Sequence, residues 1–214
     1  MKYFFTILIL QIFIASTFSQ EQNLPSFNDE IKSVVSDSSS IYYYPKLLKK
    51  VNQQPSELKI TEIYYLYYGQ IFQPDYNVFG YLMDNNQAVF RRAVMSYNYK
   101  KAISSGIKII SKFPVDLTTL LHLNICMEKK NVPDSTYFVN LRYHLLMEAI
   151  LSTGNGKSKD LAIKVINIED ESVIKGAIGF LGGKTYIEST PNHAYDVWEV
   201  DNKKLYFELI INDK

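Results

Sequence analysis

The spacing of apolar positions divides the chain into a long helical part and a shorter extended part. Phe27, Ile31, Val34 and Val35 recur at helical intervals after Ser26. They predict a helix from Ser26 to Asp37, ended by Ser38-Ser39-Ser40. Pro45 suits a first helical position, and Leu47, Leu48 and Val51 form the stripe behind it. Thr61 opens a third helix with Ile63, Leu66, Tyr67 and Ile71 on one side, and Pro74 closes it because the residue before proline is pushed out of the helical region. Asp75 to Met83 reads as an ordered loop. Asp84 is the expected cap of a fourth helix carrying Val89, Phe90 and Val94. Beyond the joint Tyr97-Asn98-Tyr99, a helix over Lys100 to Lys112 carries Ala102, Ile103, Ile107 and Ile110, and Pro114 ends it. Asp116 caps the next, with Leu117, Leu120, Leu121 and Met127. Pro133-Asp134 starts the last, which runs to about Thr153, with Gly154 as the expected left-handed stop.

After Gly156 the period changes. Leu161 to Ile166 is short and partly β-branched. Ala177 to Leu181 and Lys184 to Glu188 flank Gly182-Gly183, a favoured hairpin loop. Tyr195 to Val200 and Leu205 to Ile211 flank the turn residues Asp201 to Lys204. In the last run Leu205, Phe207 and Leu209 alternate with Tyr206, Glu208 and Ile210, the period of a half-buried strand. Glu169 to Gly176 fits either a helical turn or a strand. Helices followed by strands predict an α+β fold: antiparallel helix hairpins over residues 20–156 and a small antiparallel sheet over 157–214, joined as one unit. Within the helices, Tyr99-Lys100-Lys101-Ala102-Ile103 and Phe113-Pro114 resemble the second half of a tetratricopeptide repeat. No 34-residue period survives elsewhere, so a local helix hairpin is the expectation rather than an array.

The first residues change the picture of destination. Lys2 precedes an apolar run from Tyr3 to Phe18, followed by Ser19-Gln20-Glu21. This predicts a signal peptide over residues 1–19, cleaved before Gln20, and export to the periplasm or beyond. The run is about 16 residues, short of the roughly 20 a span needs, so no membrane span is expected after cleavage. Loss of residues 1–19 from the 214 leaves 195, and loss of Lys2 leaves 22 basic against 22 acidic residues. That balance, with 47% hydrophobic residues, excludes a disordered chain. It also offers no global basic field for nucleic acid. The single cysteine, Cys126, cannot form an internal disulfide; within an apolar helix it reads as a buried, inert thiol.

Nine of the 17 tyrosines fall between positions 42 and 81, joined by Phe72 and Phe79. Tyrosine packs through its ring and needs a polar partner for its hydroxyl. One helix cannot turn all of these rings inward. The cluster is therefore read in two ways: as packing between the helices after Pro45 and Thr61, or as a surface platform for a peptide, protein or glycan. The candidate platform is Tyr43, Tyr44, Tyr65, Tyr68 and Tyr76, since rigid rings give binding area at low entropy cost. The strings Tyr42-Tyr43-Tyr44-Pro45-Lys46-Leu47-Leu48 and Leu66-Tyr67-Tyr68-Gly69-Gln70-Ile71-Phe72-Gln73-Pro74-Asp75-Tyr76-Asn77 resemble an uncharacterised family of exported Bacteroidetes proteins, domain of unknown function family 4919. Ala149 to Gly156 with Ala162 to Ile166 is similar to that family's later segment. The resemblance implies export and lineage, and transfers no catalytic residue.

The remaining motifs point away from an enzyme. Gly154-Asn155-Gly156-Lys157-Ser158 lacks the first glycine of a phosphate loop and follows a helix, so it reads as a helix stop and loop. His122 lies in an apolar helix. His144 and Glu148 share a helix face and are expected to be a hydrogen-bonded pair rather than metal ligands. His193 and Asp196 could serve as base and orienter, but no nucleophile accompanies them. The run Glu169-Asp170-Glu171 lacks the glycine and terminal glutamate of a calcium loop and reads as a solvated turn. No metal, cofactor or catalytic residue is assigned. The expected function is a non-enzymatic binding or structural scaffold; the alternative is a periplasmic hydrolase whose site is dispersed in sequence.

Overall fold

The computed structural model describes residues 27–74, 76, 85–190 and 193–212. The expected signal peptide, the Ser26 start, nearly all of the Asp75–Met83 loop and the Asp84 cap lie outside them. The described residues form eight α-helices and four strands: α1 (Phe27–Ser36), α2 (Tyr44–Gln53), α3 (Ile60–Gly69), α4 (Asn85–Met95), α5 (Tyr99–Lys112), α6 (Leu117–Lys130), α7 (Pro133–Leu151), β1 (Ile163–Val165), α8 (Ile168–Ala177), β2 (Lys184–Ser189), β3 (Ala194–Val200) and β4 (Lys203–Leu209). The fold is α+β.

The local signals act as their chemistry requires. The Asp116 carboxylate accepts from the Thr119 N–H at 2.9 Å, capping α6. Asn98 caps α5 through Lys101 N–H. The Glu62 carboxylate reaches back to the Lys59 N–H at 2.9 Å and closes the start of α3, so the cap is Lys59, two residues before the expected Thr61. Helices α4 to α7 pack successively on one another. At their crossing a side chain on Gly106 would press on Phe90 and Leu123. Asn131, at φ 54, ends α6.

Helix α4 ends less comfortably. Tyr97 N–H bonds to Val94 O and Asn98 N–H to Ala93 O, the double bond of a Schellman stop. Tyr97 takes the left-handed position, φ 56, where glycine is unstrained. Tyr97→Gly is expected to raise stability by about 1 kcal/mol. A thermal melt checks this: a Tm no higher than that of the parent would contradict it.

Gly154, expected to be left-handed, is instead a close-approach position. A Cβ there would lie 2.4 Å from the Leu161 and Ala162 carbonyl oxygens. The left-handed residue is Gly156, φ 69, whose N–H bonds to Leu161 O and whose carbonyl accepts from Tyr206 N–H. The motif that imitates a phosphate loop is thus a connection stitched to β4.

The sheet order is β1-β4-β3-β2. It is mixed, not antiparallel as expected: β1 runs parallel to β4, with Ile163 opposite Phe207 and Val165 opposite Leu209. The crossover from β1 passes through α8, so the Glu169–Gly176 segment is a helix. The strand expected over Ala177–Leu181 does not form. Ala177 ends α8, Ile178 N–H still bonds to Ile174 O, and Gly179 takes φ 76. Gly182 and Gly183 lead into β2 without closing a hairpin. The expected hairpin between β3 and β4 is present, with Asp201 and Asn202 at φ 49 and 62 and Val200 opposite Lys203.

Ile163, Val165, Leu205, Phe207 and Trp198 on the inner sheet face join the helical residues Ile31, Val51, Ile63, Leu66, Leu120 and Leu146 in a single core. Cys126 is buried there, and burial pushes its thiol pKa up.

Candidate functional site: the tyrosine clasp and the outer face of the sheet

Strand β1 has three residues and pairs on only one side. Its free edge points into the helices, where unpaired backbone groups would be costly. Side chains from the tyrosine-rich segment and from Thr153, just past the end of α7, fill that role. Lys164 N–H donates to Thr153 Oγ1 at 3.0 Å, and the Tyr68 hydroxyl donates to Lys164 O at 2.8 Å. Ile166 N–H donates to the Tyr67 hydroxyl at 3.1 Å, and the Tyr76 hydroxyl donates to Ile166 O at 2.7 Å. Tyr67 then donates its own proton to Asp170 Oδ2 at 2.6 Å. Three tyrosines act as the missing neighbour strand, across 90 to 99 residues of chain.

This placement decides how much of the candidate platform is surface. Tyr44 and Tyr68 are buried and present no ring to solvent. Tyr76 is half-buried and committed to β1. Tyr65 is half-buried and stacks on Tyr42, centroids 4.5 Å apart; Tyr43 is half-buried with Lys46 over its ring. The five residues form no common face. Helix α3, which carries Tyr65 and Tyr68, meets α1, α2 and α7, so most of its perimeter is covered. Sequence periodicity could not show this, because the partners that enclose α3 lie far along the chain.

The acidic run is likewise not a solvated turn. Asn167 caps α8, and Glu169, Asp170 and Glu171 occupy its first turn, where the helix dipole favours negative charge. Glu169 pairs with Arg91 at 2.8 Å in solvent. Asp170 and Glu171 are each only 2% exposed. Burial raises the Asp170 carboxyl well above the ordinary range, and burial, aided by Asp196, raises Glu171 to about 8. Glu171 accepts from Trp198 Nε1 at 2.9 Å, beneath a Lys175 ammonium 3.8 Å from the indole centroid. A legible signal existed: Asp170, Val173, Ile174 and Ala177 fall at helical spacing on one face.

On the outer face of the sheet, pairing aligns three rows. Lys164, Glu208, Tyr195 and Glu188 form one; Tyr206, Val197 and Tyr186 the next; Lys204, Glu199 and Lys184 the third. Tyr195, Val197, Tyr186, Tyr206 and Ala162 make a second hydrophobic cluster, separate from the core. Among the described residues, this face is covered by its own side chains and by the turn Lys159–Leu161. Glu188 bridges Lys159 and Lys204 at 2.9 and 2.8 Å, and these hydrogen bonds, led by that from Lys204, hold its carboxyl down at about 2. Tyr186 donates to Glu199 at 2.9 Å, with Lys204 and Lys184 over its ring. At the corner, Glu208 bonds to His193 Nδ1 through one oxygen and to Lys164 Nζ through the other, both at 2.6 Å. His193 keeps 53% of its side chain exposed.

His193 was paired in sequence with Asp196. Strand alternation separates them: Asp196 sits opposite Phe207 on the inner face, towards Glu171. The partner is Glu208, placed by the register that the Asp201-Asn202 turn sets. The other histidines are not drawn in. His122 Nδ1 lies 2.9 Å from Thr118 O on its own helix. His144 and Glu148 are both exposed and do not bond to each other.

Comparison with protein families now places the chain. Residues 29–211 match the domain of unknown function DUF4919. The chain belongs to the DUF4919 family. No curated protein and no solved structure matches it. The family match spans both the tyrosine clasp and the sheet of this DUF4919 chain. Among the described residues, no three His, Cys, Asp or Glu side chains are grouped to hold a metal ion, and no helix is long and apolar enough to cross a membrane.

Proposed function

We propose that this DUF4919 chain is an exported, non-enzymatic binding protein that takes a glycan on the outer face of its sheet. The observation that carries the reading is the tyrosine row there: Tyr186 and Tyr206 are half-exposed rings on either side of buried Val197. Such rings stack against sugar faces at little entropic cost. The flanking Lys204, Lys184, Glu199 and His193 supply donors and acceptors for hydroxyl groups. Export rests on the apolar segment after Lys2 and the small residues before Gln20.

The test is a glycan array with a peptide array beside it, probed with the purified protein. Saturable binding to a glycan class is expected, weakened about tenfold or more by Tyr186→Ala combined with Tyr206→Ala. Binding unchanged in that variant, with its fold retained by circular dichroism, would remove the sheet face from the reading.

The contact of His193 with Glu208 favours a second reading, hydrolysis with His193 as general base. An exposed imidazole oriented by a carboxylate is the required geometry. Among the described residues the nearby Thr190 hydroxyl is engaged by the His193 backbone at 3.1 and 3.2 Å, which leaves a bound water as the nucleophile. Turnover of chromogenic ester or glycoside substrates that disappears in His193→Ala would select hydrolysis; no turnover leaves the binding reading in place.

A further inference from the structure

Between Asn85 and Lys112 the chain carries Arg91, Arg92, Lys100, Lys101, Lys108 and Lys112 and no Asp or Glu. The whole chain holds 22 acids against 23 bases, so this is a strong local segregation of charge. The stretch folds into α4 and α5, which leave a groove of about 510 Å³ between them. Val89, Asn98, Lys100, Lys101, Ser104 and Lys108 are among the residues that line it. Lys50, Arg91, Lys159, Lys164, Lys184 and Lys204 each pair with a carboxylate. Lys100, Lys101 and Lys108 make no ion pair among the described residues. Lys100 and Lys101 also stand in the first turn of α5, where the helix dipole disfavours a cation and favours an anion.

We infer that this groove is a binding site for an acidic peptide segment with carboxylates three residues apart. The site is separate from the sheet face and does not depend on its role. The spacing follows from helix geometry. Lys101 and Lys108 are seven residues apart on α5, about 10 Å along its axis. A peptide in the polyproline II conformation returns to the same side every third residue, about 9 Å on. Its first carboxylate meets Lys100 and Lys101, and its second meets Lys108. Between them Val89 offers an apolar wall and Ser104 a hydroxyl for the peptide backbone. Flexible acidic chains already populate this extended form, which lowers the ordering cost on binding.

The experiment titrates the purified protein into a fluorescein-labelled Pro- and Ala-rich peptide with Glu at every third position, read by anisotropy. Saturable binding is expected, weakened about tenfold or more by Lys101→Glu or Lys108→Glu. Lys101→Glu suits the first turn of α5, so its melting temperature should not fall. A peptide of the same composition with Glu at every second position is expected to bind more weakly. Absence of binding overturns the inference. So does equal affinity for the two spacings, binding that survives both charge reversals, or binding of heparin with none of the peptide.

Discussion

Tyr67→Ala is expected to destabilise the protein by about 5 kcal/mol, combining the cavity left by a large buried ring with the unpairing of buried polar groups. The residue is 0% exposed. Its hydroxyl serves two partners at once, accepting from Ile166 N–H and donating to Asp170. Tyr67→Phe separates the two contributions. It keeps the ring and removes the hydroxyl, leaving a buried backbone donor and a buried carboxyl each short of a partner, at a cost of about 2 kcal/mol. Urea unfolding of the three proteins, with midpoints compared at equal slope, measures both. A Tyr67→Phe midpoint equal to that of the parent would mean that Tyr67 contributes only its ring.

The second large effect is a dependence of stability on pH set by buried carboxyls. Glu171 is raised from 4.5 to about 8, by burial first and by Asp196 after it. Asp170 and Asp116 are also raised by burial. A carboxyl whose pKa is higher in the folded state holds its proton there more tightly than in the unfolded chain. Its contribution to stability is therefore fully present below about 4.5 and is lost as pH rises through about 8. The protein is expected to melt at a higher temperature at pH 5 than at pH 9. Glu171→Gln keeps the shape and an acceptor for Trp198 Nε1, carries no charge to bury, and offers Asp196 a donor. It should flatten that dependence and stabilise the protein at pH 9 by a few kcal/mol. Melting curves across this range decide the matter: a slope identical to that of the parent would show that Glu171 is not the group that titrates.

The two effects share an origin. Both come from a polar layer between the helices and the sheet, made of Tyr67, Tyr68, Tyr76, Asp170 and Glu171. A short parallel strand at the buried edge of a sheet needs partners for its outer backbone groups, and among the described residues no further strand is available. Tyrosine meets that need because its ring fills the helical core while its hydroxyl reaches the strand. Phenylalanine at the same positions would pack equally well and leave the strand unpaired. The tyrosine excess, which in composition alone could equally be a surface for a ligand, is in large part a structural device. The rings that stay half-exposed on the outer sheet face, Tyr186 and Tyr206, lie outside that segment.

The sequence by itself determined the elements whose causes are local. The Asp116 cap, the proline at the head of α7, the Asp201-Asn202 turn and the alternation from Leu205 to Leu209 each act within a few residues. Those elements and the α+β class follow from them, and the Leu66–Asn77 string carries the resemblance to DUF4919 that the match over residues 29–211 bears out. What only the tertiary structure decided rests on residues that meet from distant parts of the chain. The parallel pairing of β1 depends on α8 crossing between the strands. The burial of Asp170 and Glu171 depends on what packs over the first turn of that helix. Tyr67 and Ile166 meet across 99 residues. Local propensity carries no information about such meetings, because the free energy that holds them comes from desolvated groups finding partners, and the partner is known only when the chain has closed around it.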